Sequence, residues 1–179
     1  MVYASRYVSP VGNLLLAERN GQLIGVWIEG QKYYCDSLRE RTLDFTDTPI
    51  LIQTKRWFDR YFNGERPEIS ELPLAPEGSD FRKTVWQTLC EIPYGKTVSY
   101  GELARRIADR LGLDRMSAQA VGGAVGHNPI SIIIPCHRVV GANGNLTGYA
   151  GGIQKKLQLL ALEGVNVEKL SVPTKGTAL

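Results

Sequence analysis

Long apolar runs, paired cysteines and charge of a single sign are all scarce in this 179-residue chain, and each scarcity removes a class of function. No stretch of about eighteen apolar residues occurs, so no membrane-spanning helix is expected. The opening Met1-Val2-Tyr3-Ala4-Ser5-Arg6 lacks the charged-then-apolar layout of a secretion signal, so a cytoplasmic protein with no membrane partner is expected. Cys35, Cys90 and Cys136 are far apart and form no motif suited to zinc or a structural disulfide. They read as free thiols, Cys35 and Cys90 as structural ones, with no metal and no cofactor implied. The formal charge of +3 is too small to identify a nucleic-acid partner.

What is present is enough apolar material, 43% of residues, for one large domain or two small ones. The charge is unevenly placed: residues 1–79 hold nine Lys/Arg against eleven Asp/Glu, residues 80–179 twelve against seven. A basic half can be only a solvated face, but here it also holds the sharp motifs. In the first half, apolar runs flank Asn20-Gly21, the strongest short hairpin signal, and predict a small antiparallel sheet. Ile50, Ile52, Trp57, Phe58 and Tyr61 recur near helical spacing and predict a helix over 49–63. Pro67, Pro73 and Pro76 between Gly64 and Gly78 suit a linker, which places a domain boundary after residue 78.

In the second half, Ser79 or Asp80 can cap a helix carrying Phe81, Val85, Leu89 and Ile92, stopped by Pro93. Ser99 with Glu102 three residues later reads as a capping box that opens a helix through Leu103, Ala104 and Ile107. A further helix is predicted from near Ser117 to His127. Two short helices in succession suggest a helix-turn-helix, with a long turn, although such pairs can be plain packing units. Gly122, Gly123 and Gly126 weaken the second helix by about 1 kcal/mol each relative to Ala. Their smallness permits close approach of either a neighbouring helix or a nucleic-acid strand.

The β-branched run Ile130-Ser131-Ile132-Ile133-Ile134, between Pro129 and Pro135, predicts an extended interior segment that delivers Cys136 to the edge of a core. A lone cysteine can be an inert buried hydrophobe. His137 and Arg138 beside it point instead to a nucleophile, which needs positive charge or a base to ionise. Adjacent residues point in different directions, so His137 fits a water relay better than direct contact, with a carboxylate to hold its tautomer. Glu163, ending a helix that carries Ile153, Leu157, Leu160 and Ala161 just before Gly164, is the best candidate, because an acid there opposes the helix dipole, although on these cues alone a solvated surface glutamate is the commoner case.

Pro135-Cys136-His137-Arg138-Val139-Val140, with Asn128-Pro129 and Ala120-Val121-Gly122-Gly123-Ala124 before it and Gly151-Gly152 and Leu159-Leu160-Ala161-Leu162-Glu163-Gly164 after it, resembles the alkylguanine-DNA alkyltransferases. Ile92-Pro93-Tyr94-Gly95 and Val98-Ser99-Tyr100 extend the resemblance over roughly residues 80–165, while the first 79 residues fit only in size and coarse pattern. The resemblance implies an α+β chain: an N-terminal α/β domain over 1–78 and a helical domain with a winged-helix-like helix-turn-helix over 79–170; residues 171–179, with Pro173 and Gly176, read as a disordered tail. It implies a single-turnover enzyme that moves an alkyl group from 6-O-alkylguanine in double-stranded DNA, with 4-O-alkylthymine left open, onto Cys136 after the base is flipped.

In that scheme His137 takes the thiol proton through a water, Glu163 orients it, Asn128 braces the turn, and Tyr100 donates to the leaving guanine. Tyr149, Ala150 and Gly151 line the base pocket. The DNA-facing set is Ala118, Gln119, Ala120, Gly122, Gly123, Arg115 and Arg138, in a protein expected to act as a monomer, with cooperation along DNA left open. Gln119 stands where the family usually carries an arginine inserted into the duplex, so weaker or slower extrusion is expected, with Arg115 or Arg110 as compensation. A non-catalytic damage-recognition protein or helix-turn-helix regulator, and a thiol hydrolase, are the competing readings.

Overall fold

Asn20 and Gly21 take left-handed φ values of 55° and 76°, which turns the chain tightly between two strands. The computed structural model describes residues 1–171, and these fall into two units: Met1–Gly78 joined by Pro129–Ile133, and Ser79–Asn128 with the chain from Ile134 on. The sequence boundary after residue 78 therefore does not account for Pro129–Ile133, which packs with the first unit.

In the first unit, β1 (Val2–Ser9), β2 (Gly12–Arg19), β3 (Gln22–Ile28) and β4 (Leu43–Asp44) form one sheet in the order β3-β2-β1-β4. The first three form the antiparallel sheet expected of residues 3–28, and the short β4, which the sequence did not signal, joins parallel to β1. The period of two sorts the side chains. Val2, Ala4, Leu15, Ala17, Ile24 and Trp27 make one apolar cluster. On the other side Tyr7, paired with Leu14, meets Phe58 and Phe62 of α1 (Pro49–Phe62) at ring-centroid distances of 5.5 and 6.5 Å. Thr48 caps α1 by accepting from the Leu51 amide, and Pro49 occupies its first turn, where a missing N–H costs nothing.

The proline-rich stretch expected as a linker is partly docked. Leu23 donates its amide to the Pro73 carbonyl and accepts from Ala75, both at 2.8 Å, because proline loses only its donor.

Pro129–Ile133 corrects a second expectation. Ile130 bridges Val26 of β3 as an added parallel strand position, but the run does not continue extended. Ile132 has φ 72°, and the Ile133 amide donates to the Ser131 carbonyl at 2.9 Å, closing a γ-turn around Ile132. A buried β-branched residue in the left-handed region costs about 1–3 kcal/mol, which the surrounding packing must outweigh.

In the second unit, α2 (Asp80–Leu89), α3 (Tyr100–Leu111), α4 (Ala118–Gly126) and α5 (Ile153–Leu162) surround a parallel two-strand pair, β5 (Val98–Ser99) and β6 (Val139–Val140). Ser79, Ser99 and Ser117 cap α2, α3 and α4 by accepting backbone amides. The Ser99 box is half formed, since the Glu102 carboxylate turns to Arg105 and Arg106. Trp86 of α2, 1% exposed, donates its indole N–H to the Ala124 carbonyl at 2.8 Å and fixes α4 in place.

Val140, Leu146 and Leu160, flanked by Ile153, Leu157 and Leu170, form a small core under the loop that follows β6. Ser171 pairs with Asn145 and so belongs to the folded unit rather than to the expected tail, whose other residues lie outside those described. No helix among the described residues is long and apolar enough to cross a membrane.

Candidate active site

Cys136 opens a one-turn 3-10 helix, Cys136–Arg138, entered through Pro135 with φ −82° and ψ 62°. The Cys136 amide donates to the Ile134 carbonyl at 2.8 Å, so this is a second, inverse γ-turn. Asn128, just past the end of α4, braces it: its amide nitrogen donates to Ile134 O at 2.9 Å and to Cys136 Sγ at 3.2 Å. Cys136 is 6% exposed, and burial pushes the thiol pKa up. Asn128, the Lys156 charge and the amides of Cys136 and His137 act in the opposite direction. The resting group is therefore a thiol, and ionisation needs a base as well as the surrounding donors.

His137 Nε2 lies 2.7 Å from Glu163 Oε2, and both side chains are fully buried. Burial lowers the His137 pKa and outweighs the pull of Glu163. Burial raises the Glu163 carboxyl, but its hydrogen bonds with His137 and Arg138 and the Arg138 charge prevail and hold it well below the usual carboxylate range. A carboxylate facing a neutral imidazole fixes the tautomer: Nε2 carries the proton and donates, leaving Nδ1 with a lone pair. Nδ1 has no hydrogen-bond partner among the described residues.

Arg138 corrects its expected place among the DNA contacts. It is 7% exposed, donates from Nε and a terminal nitrogen to the two Glu163 oxygens at 2.7 and 3.1 Å, and reaches the Ile92 carbonyl at 2.7 Å. Its charge is spent inside the unit, where it keeps Glu163 ionised.

Two residues of this network carried no role in the sequence reading. Gly95 donates its amide to Glu163 Oε1 at 3.2 Å from a turn in which its φ is 76°, and a Cβ there would lie 2.8 Å from the Glu163 carbonyl. Lys156, fully buried on α5, donates to the carbonyls of Val139 at 2.5 Å and Thr147 at 3.0 Å. Burial lowers its pKa to about 8, against the pull of Cys136. A lysine three residues after Ile153, on the apolar face of that helix, was the available signal.

Tyr100, the first residue of α3, donates its hydroxyl to the carbonyls of Thr147 and Gly148 at 3.3 Å each. Burial raises its pKa, and ionisation of Cys136 raises it further, so it holds its proton. Tyr149 is buried, and its hydroxyl has no partner among the described residues; its pKa too is raised by burial and by Cys136. Ala150 and Gly151 follow it half-buried. Among the described residues no group of three His, Cys, Asp or Glu could hold a metal.

On α4, Ala118, Gln119, Ala120 and Gly123 are exposed, as is Arg115 in the preceding turn. A Cβ at Gly122 would meet the Tyr100 ring at 3.9 Å, whereas one at Gly123 or Gly126 would meet nothing within 4 Å. Internal packing therefore does not require the last two glycines. Arg110, expected in the turn, is in the last turn of α3 and is engaged by Thr88 and Glu91.

Comparison with known proteins gives concordant results. Residues 80–165 match the model of the 6-O-methylguanine DNA methyltransferase DNA-binding domain, and residues 2–76 that of the same protein's ribonuclease-like domain. A methylated-DNA–protein-cysteine methyltransferase of Haemophilus influenzae is 42% identical over 92% of this chain and 87% of its own. The crystal structure of the Mycobacterium tuberculosis O6-methylguanine methyltransferase superposes with a TM-score of 0.75 at 44% identity, covering 91% of this chain and 93% of that one. That of M. tuberculosis OGT in complex with DNA gives 0.78 at 39% identity, covering 94% of each. The cysteine, its neutral histidine and the ionised glutamate thus sit in a chain that belongs to the 6-O-methylguanine DNA methyltransferase family.

Proposed function

We propose that this protein repairs DNA by taking the alkyl group of 6-O-alkylguanine onto Cys136, once per molecule. The observation that carries the mechanism is the His137–Glu163 contact, which leaves the Nδ1 lone pair of a neutral imidazole as the base. The thiol proton passes through a water to Nδ1 as sulfur attacks the alkyl carbon. The bond from that carbon to the guanine oxygen breaks, and its electron pair stays with the base. Tyr100 shifts its hydrogen bond from the Thr147 and Gly148 carbonyls to the departing guanine. The guanine leaves neutral by taking a proton through that hydroxyl, and the tyrosine recovers its own through water from the His137 imidazolium. Asn128 and Lys156 stabilise the developing thiolate, the first by a hydrogen bond and the second by charge. A thioether offers water no leaving group, so the protein is not regenerated.

The partner is double-stranded DNA bearing the alkylated base, met by a monomer in the cytoplasm. The alkylated oxygen is inaccessible in the stack, so the base must be extruded at a cost of a few kcal/mol. The exposed face of α4, with Ala118, Gln119, Ala120 and Gly123, the half-buried Gly122 beside it and Arg115 before it, approaches the backbone in a narrow groove. Tyr149, Ala150 and Gly151 form the wall against which the extruded base rests.

Intact-mass spectrometry after incubation with an oligonucleotide containing 6-O-methylguanine tests this reading. The expected result is a gain of one methyl group per protein, absent in Cys136→Ala. Unmodified protein that consumes many equivalents of substrate would mean a hydrolase, and unmodified protein with unchanged bound DNA a recognition module.

A further inference from the structure

The turns that carry Cys136 begin at a buried polar contact in the first unit. Gln31 is 7% exposed and Ser131 3%, one hundred residues apart in sequence. Gln31 Oε1 accepts from the Ile28 amide at 2.6 Å and from the Ser131 hydroxyl at 3.1 Å, which uses both of its lone pairs. The backbone is tied at the same place: Val26 donates to the Pro129 carbonyl at 2.8 Å and accepts from the Ser131 amide at 2.9 Å.

Immediately beyond Ser131 the chain enters the left-handed γ-turn at Ile132, closed on the Ser131 carbonyl. The second γ-turn follows at Pro135, closed on the Ile134 carbonyl that Asn128 also holds. The two turns, 131–133 and 134–136, follow one another with no residue between them. A β-branched residue relaxes out of the left-handed region unless both ends of its turn are held. Asn128 holds the far end, and Ser131 is the near one.

We propose that Gln31 is a positioning residue for the thiol: by fixing Ser131 it keeps the strained turn at Ile132 and so sets Cys136 Sγ against Asn128. This rests on Cys136 being the alkyl acceptor. Gln31 touches neither the substrate nor the sulfur. When the contact is lost, Ile132 relaxes, Cys136 turns away from the Asn128 amide, and the thiolate loses a donor.

Ser131→Ala, Gln31→Leu and their double variant test the idea. Two readouts are needed: the single-turnover methyl-transfer rate at saturating 6-O-methylguanine oligonucleotide, and the pH profile of Cys136 alkylation by iodoacetamide, followed on the Cys136 peptide. Each single variant is expected to slow transfer by roughly tenfold with DNA affinity unchanged, and to move the iodoacetamide midpoint to higher pH. The double variant should be no slower than the slower single one, because both break one contact. Ser131→Thr, which keeps the hydroxyl, should recover most of the rate.

Folded variants with transfer within twofold of the parent and an unmoved midpoint would overturn the proposal, as would effects that simply multiply in the double variant. If Gln31→Leu does not fold, the Ser131→Ala and Ser131→Thr pair decides the matter by the same readouts. A parent protein that gains no methyl group sinks the acceptor reading instead, and the iodoacetamide midpoints then still report whether Gln31 and Ser131 set the thiol.

Discussion

Glu163 is the residue on which the site's electrostatics turn. It accepts from Arg138 and from the Gly95 amide, and it faces the His137 ring. Replacement by glutamine keeps the shape but removes the charge, leaves Arg138 as an unpaired buried cation and no longer fixes the imidazole tautomer. We expect Glu163→Gln to lose roughly 3 kcal/mol of stability, the low end for breaking a buried ion pair, since the amide keeps one acceptor. Single-turnover methyl transfer should fall by roughly a hundredfold or more, the scale of a misdirected general base.

The pH dependence has a definite sign. The folded carboxyl is held below its unfolded value of about 4.3, so its stabilisation is present above that pH and disappears as pH falls towards the folded value. Urea melts of parent and variant should therefore converge below about pH 4, and a gap that stays constant through that range would count against the ionised cluster. Cys136 and His137 were legible because their cue is local, a nucleophile beside a base, whereas the acid at the wrong end of a helix only hinted at Glu163, whose role came from the resemblance of the surrounding motifs. Gly95 and the true role of Arg138 were not, because their partner lies 68 and 25 positions away, and only the fold brings them onto one carboxylate.

At the scale of elements, α4 shows how function and helix propensity conflict. Gly123 is exposed, and a Cβ there would meet nothing within the chain, so Gly123→Ala should stabilise the helix by up to about 1 kcal/mol. If the face lies against DNA, the same methyl group should weaken binding to a duplex oligonucleotide. A variant that melts higher and binds equally well would remove α4 from the interface. Gln119, exposed on the same helix, gives the complementary test. Gln119→Arg should raise duplex affinity and the repair rate, since a guanidinium adds stacking and phosphate attraction that an amide lacks. No gain in either would mean that Gln119 does not limit extrusion.

The helices themselves were readable from periodicity and caps, with Ser79, Ser99 and Ser117 each at an N-terminus; the Thr48 cap of α1 was not among the cues. The run Ile130–Ile134 was misread for a physical reason. Its β-branched composition favours extension, but hydrogen bonds with Val26, Gln31 and Asn128 hold both ends of the segment and impose turns that local propensity opposes.

At the scale of the whole molecule, a protein that is its own reagent must also tolerate its product. Cys136 is almost fully buried, and its sulfur accepts from Asn128 at 3.2 Å. A methyl group added there enlarges a packed side chain and turns the sulfur into a weaker acceptor beside a buried amide. Overpacking of this kind costs roughly 1–3 kcal/mol. In a chain of this length each kcal/mol lowers the melting temperature by roughly 2–4 °C, so the S-methyl protein should melt several degrees below the unmodified one. Scanning calorimetry before and after stoichiometric reaction measures this, with Cys136→Ala carried through the same DNA incubation to remove any effect of residual oligonucleotide. A product that melts at or above the parent would require the site to hold a preformed space for the alkyl group. In that case the burial of Cys136 would serve substrate capture, and the destabilisation expected on alkylation would have to be sought in larger alkyl groups.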